Sequence, residues 1–336
     1  MPLSATKDVK ATNPLEDLSA LLKADMEQVN ALIYKRMDSE VALIPQLAGY
    51  LIASGGKRMR PLLTLAATRL FSADTTRCYP LAAAVEFIHT ATLLHDDVVD
   101  ESEQRRGKES ANRVFGNQET VLVGDFLFSR SFELMVEDGS LDVLRILSKA
   151  SAVIAEGEVL QLSIQGNLDT TIDQYKRVIG AKTAALFAAA TEIGPIVTNQ
   201  SAEMQKALRD YGYNLGMAFQ IADDVLDYQA DAAELGKAIG DDFKEGKMTA
   251  PVLFALEKAD ASEKEFWARV FGAEDASEAD LKLAQNLIRK HKADIRSLDM
   301  AKDYADMAAK SLASLPDGEL KSILIDTAYY ALERKK

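Results

Sequence analysis

Apolar positions recur at helical spacing along most of this chain. Leu15, Leu18, Leu21, Leu22, Met26, Val29 and Ile33 fall three and four residues apart, which predicts an amphipathic helix from Leu15 to Met37. A second helix is predicted from Ser39 to Ala53, stopped at Gly55-Gly56. The next begins at once, with Pro61 in its first turn, where a missing N–H costs least. Further helices are predicted over Leu81–Glu101, Glu119–Val136, Leu141–Ile164, Thr171–Ala190 and Ser201–Tyr228. Phe126, Phe128 and Phe132 give the Glu119–Val136 helix apolar surface on more than one face, as in a helix buried in a core or lying at a subunit interface. Gln229–Met248 is polar and holds three glycines, so it reads as a loop. From Thr249 to Glu333 helical spacing returns, broken near Asp275, Ala293 and Pro316-Asp317-Gly318. No alternation is long enough to build a sheet. The pattern predicts an all-α chain: a polar leader over residues 1–14 that frays, then one domain over 15–336.

Composition bounds what such a domain does. The chain has 336 residues, 48% hydrophobic and 27% charged, enough for a sizeable core. A net charge of −13 speaks against nucleic acid, whose phosphate backbone needs a basic face, so an anionic ligand must be met by local clusters of Lys and Arg. The single Cys78 excludes an internal disulfide, and neither a signal peptide nor an apolar run of membrane-spanning length is seen, so the cytoplasm is the expected location. Contact with a membrane through an amphipathic surface stays open.

Candidate chemistry lies in two acidic stretches inside apolar helices. In HDDVVDESEQRR, Asp96 and Asp100 sit four apart on one helix face, with side chains about 5–6 Å from each other, and Asp97 flanks them. His89, seven residues earlier, shares that face. Like charges at this spacing repel, so the cluster calls for a hard divalent cation. FQIADDVLDY repeats the pattern with Asp223, Asp224 and Asp227, preceded on the same face by Gln220. Magnesium takes one or two carboxylates per ion and leaves the rest of its shell to water and substrate phosphate, so two such helices facing each other describe a metal-bridged diphosphate site. One acidic triplet alone is most often a solvated face. Here Phe87, Ile88, Leu93, Leu94, Val98 and Val99 surround the first cluster, and Met217, Phe219, Ile221, Val225 and Leu226 the second, which a solvated face would not show.

Basic groups accompany both clusters. Lys57, Arg58 and Arg60 lie at a helix N-terminus, a ready anion site, although such a turn by itself would be ordinary capping. Arg105 and Arg106 follow the first cluster in a Ser102–Asn112 loop. Lys182-Thr183 stands mid-helix after Gly180, weak evidence by itself, and Lys237 and Lys247 lie in the polar loop after the second cluster, which could serve as a lid.

Taken in order and spacing, GGKRMRP, HDDVVDESEQRRGKESAN, GAKTAALF, FQIADDVLDY and LGKAIGDDFKEGKMT resemble the motif set of the trans-polyprenyl diphosphate synthases, over about Ile52 to Leu256. The wording around DDVVDES and VLVGDFLFSRSFELM is most similar to the long-chain members that make ubiquinone side chains, above all the decaprenyl synthases. Met248 departs from the proline or β-branched residue that many members carry there. The resemblance implies a large helical isoprenoid-synthase fold around a central cavity, a homodimer, and a magnesium-dependent prenyltransferase that condenses an allylic diphosphate with isopentenyl diphosphate, with three magnesium ions per site. Product release at a membrane surface is compatible with it. Carried over residue by residue, Asp96, Asp100, Asp223 and Asp227 hold the metal, and Asp97 and Asp224 support them. Arg105, Lys182, Thr183, Gln220, Lys237 and Lys247 contact the allylic group, while Lys57, Arg60, His89 and Arg106 hold isopentenyl diphosphate. Short-chain relatives carry a large aromatic four or five positions before the first aspartate. Here those positions are Thr92 and Ala91, both small, which implies a long product that Ala91→Tyr shortens. A shorter-chain synthase and a non-catalytic regulatory subunit are the alternatives; such subunits commonly lose one aspartate motif, and both are intact here.

Overall fold

The computed structural model describes residues 13–53, 56–105, 107–229, 240–272 and 276–333. Asn13 caps the first helix, its side chain accepting from the Leu15 N–H, and Pro14 takes the first helical position. The expected Leu15–Met37 helix is two, α1 (Pro14–Leu21) and α2 (Lys23–Arg36). Hydrogen bonds run through the junction, Leu22 N to Leu18 O at 3.1 Å and Met26 N to Leu22 O at 2.9 Å. The break is therefore a local bend, and apolar spacing continues across it.

There follow α3 (Leu43–Ala53), α4 (Met59–Arg69) and α5 (Cys78–Val99), then a short antiparallel hairpin, β1 (Gln104–Arg105) and β2 (Lys108–Glu109), where a loop was expected. Next come α6 (Ala111–Phe115), α7 (Asn117–Asp138), α8 (Leu141–Ile164) and α9 (Ile172–Ile179). A π-helical turn over Gly180–Ala184 leads into α10 (Ala185–Val197) and the long α11 (Ala202–Gln229). The rest is α12 (Asp241–Lys244), α13 (Ala250–Leu256), α14 (Ala261–Phe271), α15 (Glu278–Lys290), α16 (Ala293–Ser311) and α17 (Glu319–Glu333). The leader up to residue 12 lies outside the described residues.

Helices α4, α5, α10 and α11 form the centre, and small residues set their spacing. A methyl group on Gly194 of α10 would sit 2.3 Å from the backbone of Ala67 in α4, and one on Gly212 of α11 would sit 2.4 Å from the Phe187 carbonyl oxygen. No side chain fits at either place, so the helices approach as backbone on backbone. Apolar burial falls into two clusters, one around Leu63, Phe87, Leu186 and Tyr211, the other around Tyr175, Ile221, Phe254 and Trp267. Tyr304 and Leu332 pack against both. Polar residues of α5, α8, α9 and α11 face the cavity described next.

Candidate active site

A cavity of about 820 Å³ opens between α5, α8, α9 and α11. Helix α5 lines it with Glu86, His89, Thr92, Leu93 and Asp96, and its C-cap Asp100 continues the same face, residues that three- and four-residue spacing brings together. Across from them α11 presents Phe219, Gln220, Asp223 and Asp224. Glu158 comes from α8, Tyr175 from α9, Lys182 and Thr183 from the π turn, and Asp242 and Lys247 from the segment beyond α11. Lys57, Arg58 and Arg60 close another part of the wall, so acidic and basic banks share one chamber.

Two ammonium groups sit among the carboxylates. Lys182 Nζ lies 2.5 Å from Glu158 Oε2, and Lys247 Nζ lies 3.1 Å from Asp100 Oδ2 and 4.0 Å from Asp242, with a further ion pair to Glu245. Burial raises the Asp96 pKa above the usual carboxylate range; Lys182 draws it down, and Asp100 adds to the rise. Burial and the Asp96 charge push Glu158 up to about 6 despite Lys182. Burial works against the Lys247 charge, but Asp242, Glu245 and Asp100 more than offset it and raise its pKa. Among the described residues no three carboxylates yet converge as a ready-made cage. Asp96, Asp100 and Asp223 instead offer hard oxygens singly or in pairs, which fits an ion such as magnesium that keeps its waters.

The supporting aspartates differ from their neighbours. Asp97 is 0% exposed and is gripped by Arg105, whose Nε and Nη2 both lie 2.6 Å from Oδ1, tying β1 to α5. Asp97 lines a small adjoining pocket of about 40 Å³ rather than the main chamber, while Arg105 borders both. Asp224 has both oxygens engaged, by the Tyr175 hydroxyl at 2.6 Å and the Gln220 amide at 2.7 Å, and Thr183 Oγ1 donates to Gln220 Oε1 at 2.7 Å. Burial, with the Asp242 charge next, raises the Asp224 pKa well above normal, and burial and Asp224 raise that of Tyr175, so the phenol stays a neutral donor. Asp227 accepts from the Asp242 backbone N–H at 3.1 Å and from that of Gly240, through its own carbonyl, at 3.2 Å; it anchors the returning chain and is not part of the cavity wall.

At the basic end Arg58 caps α4 with left-handed backbone (φ 44), a strained conformation for a non-glycine residue. The Arg60 guanidinium stands over the Phe187 ring, 4.3 Å from its centroid, and the Lys57 ammonium lies 5.7 Å from the Tyr330 centroid. Thr92 reaches the cavity and donates to the His89 carbonyl at 2.8 Å, whereas Ala91 is 1% exposed in the core and does not line it. At roughly 100° per residue, Thr92 points about 40° from Asp96 and Ala91 about 140° away. Arg106 and Lys237 lie outside the described residues. Met248 is buried and lines the cavity.

Sequence reasoning missed Glu158, Tyr175 and Asp242. Glu158 follows Glu156 and Gly157 and precedes Gln161 on a helix of mixed polarity, so nothing in the sequence singles it out. The π turn was equally hidden. A methyl on Gly157 would meet Ala181 Cβ at 2.6 Å and one on Gly216 would meet Ala184 Cα at 2.7 Å, so the turn is wedged between α8 and α11 by two distant glycines.

The polyprenyl synthetase family model matches residues 41–288. Octaprenyl diphosphate synthase of Escherichia coli is 43% identical over 326 residues, covering 96% of this chain and 99% of its own length. A crystal structure of a decaprenyl diphosphate synthase from Rhodobacter capsulatus has a TM-score of 0.91 at 53% identity, over 95% of this chain and 99% of that one. A polyprenyl synthase from Caulobacter crescentus, crystallised with calcium and isoprenyl diphosphate, has a TM-score of 0.93 at 52% identity, over 96% of this chain and 98% of that one.

Proposed function

Because this chain belongs to the polyprenyl synthetase family and is a prenyltransferase enzyme, we propose that it adds successive isopentenyl diphosphate units to an allylic diphosphate and releases a long-chain polyprenyl diphosphate. One observation carries the reading: a single chamber holds two facing aspartate banks with Lys182 and Lys247 between them, and a separate basic wall with Lys57 and Arg60. Each substrate diphosphate thus has its own bank.

Magnesium dependence is general in this family, and Asp96, Asp100 and Asp223, which line the chamber, would hold three ions whose charge stabilises the departing diphosphate, while Asp227, expected from the motif to join them, anchors the chain behind the wall. The chain's own groups do the rest. Lys182 and Lys247 exchange their carboxylate partners for diphosphate oxygens, with Thr183, Gln220 and Arg105 on the same wall, while Lys57, Arg60 and His89 hold isopentenyl diphosphate; the motif set assigns Lys237 to the first group and Arg106 to the second. Leu93, Phe187 and Phe219 on the cavity wall exclude water from the allylic cation that forms as the carbon–oxygen bond breaks. The isopentenyl double bond supplies the electron pair of the new carbon–carbon bond, and the proton it sheds passes to the departing diphosphate.

The names of the similar proteins, octaprenyl and decaprenyl, support a long product of that range, serving ubiquinone synthesis. Exposed Leu122 on α7 and Val159 and Leu162 on α8 support a homodimer. The residues shared by both apolar clusters support one domain over 15–336. Among the described residues no helix is long and apolar enough to cross a membrane. The proposal places the enzyme in the cytoplasm, handing its product to a membrane surface.

The test is to incubate pure protein with magnesium, labelled isopentenyl diphosphate and farnesyl diphosphate, then size the dephosphorylated products by reverse-phase chromatography. Octaprenyl to decaprenyl products are expected from the wild type and none from Asp96→Ala. Absence of incorporation by the wild type would point to a regulatory subunit, and a single addition to a short-chain synthase.

A further inference from the structure

Tyr175, Asp224, Gln220 and Thr183 make an unbroken hydrogen-bonded chain through α9, α11 and the π turn, each link 2.6 to 2.7 Å long. Tyr175 is 2% exposed and Asp224 4%, so water does not compete for these bonds. The chain has a direction. Gln220 turns its amide nitrogen toward Asp224 and its oxygen toward Thr183, whose hydroxyl proton is thereby committed. Two cavity-facing groups are left with fixed polarity beside Lys182: the second Gln220 N–H as a donor, and the Thr183 oxygen as an acceptor.

Asp224 borders the chamber, and each of its oxygens accepts a hydrogen bond from within the protein, one from Tyr175 and one from Gln220. We propose that Asp224 is the hub of a polarity-setting network, and that Tyr175 is a positioning residue which acts through Asp224 to hold the Gln220 amide, itself braced by Thr183, with its free N–H toward the allylic diphosphate. This rests on the function proposed above.

The test uses full-length protein and farnesyl diphosphate with magnesium but no isopentenyl diphosphate, so that calorimetry reads binding without turnover. Tyr175→Phe removes one hydroxyl and keeps the ring. It should weaken farnesyl diphosphate binding about tenfold, the scale of one lost hydrogen bond with its partner left unpaired. In the elongation assay the KM for isopentenyl diphosphate and the magnesium concentration for half-maximal rate should not move. Tyr175→Phe combined with Thr183→Val should bind no worse than Thr183→Val alone, because both lie on one chain. Unchanged farnesyl diphosphate affinity in a folded Tyr175→Phe protein, additive losses in the double variant, or a shifted magnesium requirement would each overturn the assignment. Wild-type protein that binds farnesyl diphosphate without elongating it would instead overturn the proposed function and leave the binding test intact.

Discussion

Glu158 shows how one residue sets conditions for its neighbours. Burial and the Asp96 charge move its pKa from 4.5 up to about 6, so between those values the folded protein holds a proton that the unfolded chain has released. Stability therefore falls as pH rises through that window, and above it the ionised Glu158 is a net burden on the metal-free fold. A shift of this size, discounted because the side chain is a quarter exposed, amounts to about 1 kcal/mol. Glu158→Gln should match the wild type in urea unfolding near pH 4.5 and exceed it by about that amount near pH 7.5, both without magnesium. A difference that does not grow with pH would mean that Lys182 already cancels the burden. Asp96, Asp100 and Asp223 were readable in the sequence because apolar flanks made their charges conspicuous, whereas Lys182 was weak evidence alone and gained meaning only from the motif set. Glu158 was not, since its meaning depends on a lysine brought beside it from the π turn.

At the scale of an element, helix α5 divides its sequence between two duties. Its face bearing Glu86, His89, Thr92, Leu93 and Asp96, continued by the C-cap Asp100, walls the cavity, and the opposite side, with Ala84, Ile88 and Ala91, packs in the core. Position, not size alone, decides which small residue could limit a growing product. Thr92→Phe puts a ring on the cavity wall and should shorten the product with little loss of stability. Ala91→Tyr puts a ring among packed helices, so it should cost about 1–3 kcal/mol and change product length only by displacing α5. Chromatography of the products beside thermal melts separates the two; a shorter product from Ala91→Tyr with an unchanged melt would restore Ala91 as the stop. The helix itself and its aspartate face were legible from periodicity. The π turn was not, because apolar spacing does not encode a change of hydrogen-bond register, and the glycines that permit it belong to other helices.

For the molecule as a whole, the question is what covers α7 and α8. Leu122 is 66% exposed and Val159 67%, on consecutive helices of a chain whose other outer positions are mostly charged or polar. A second copy of this chain is the occupant proposed here, and its net charge of −13 sets the conditions. Two such copies repel at long range, and salt screens that repulsion within roughly 10 Å at 0.1 M, while apolar burial is not weakened by it. Dimerisation should therefore tighten as salt rises from low to moderate concentration, the opposite of an interface held by ion pairs. Leu122→Asp with Val159→Asp places two buried charges in each half of the contact and should give monomer in sedimentation velocity at concentrations where the wild type is dimer. Dimer that persists in this variant, or that weakens as salt is added, would put the interface on another face.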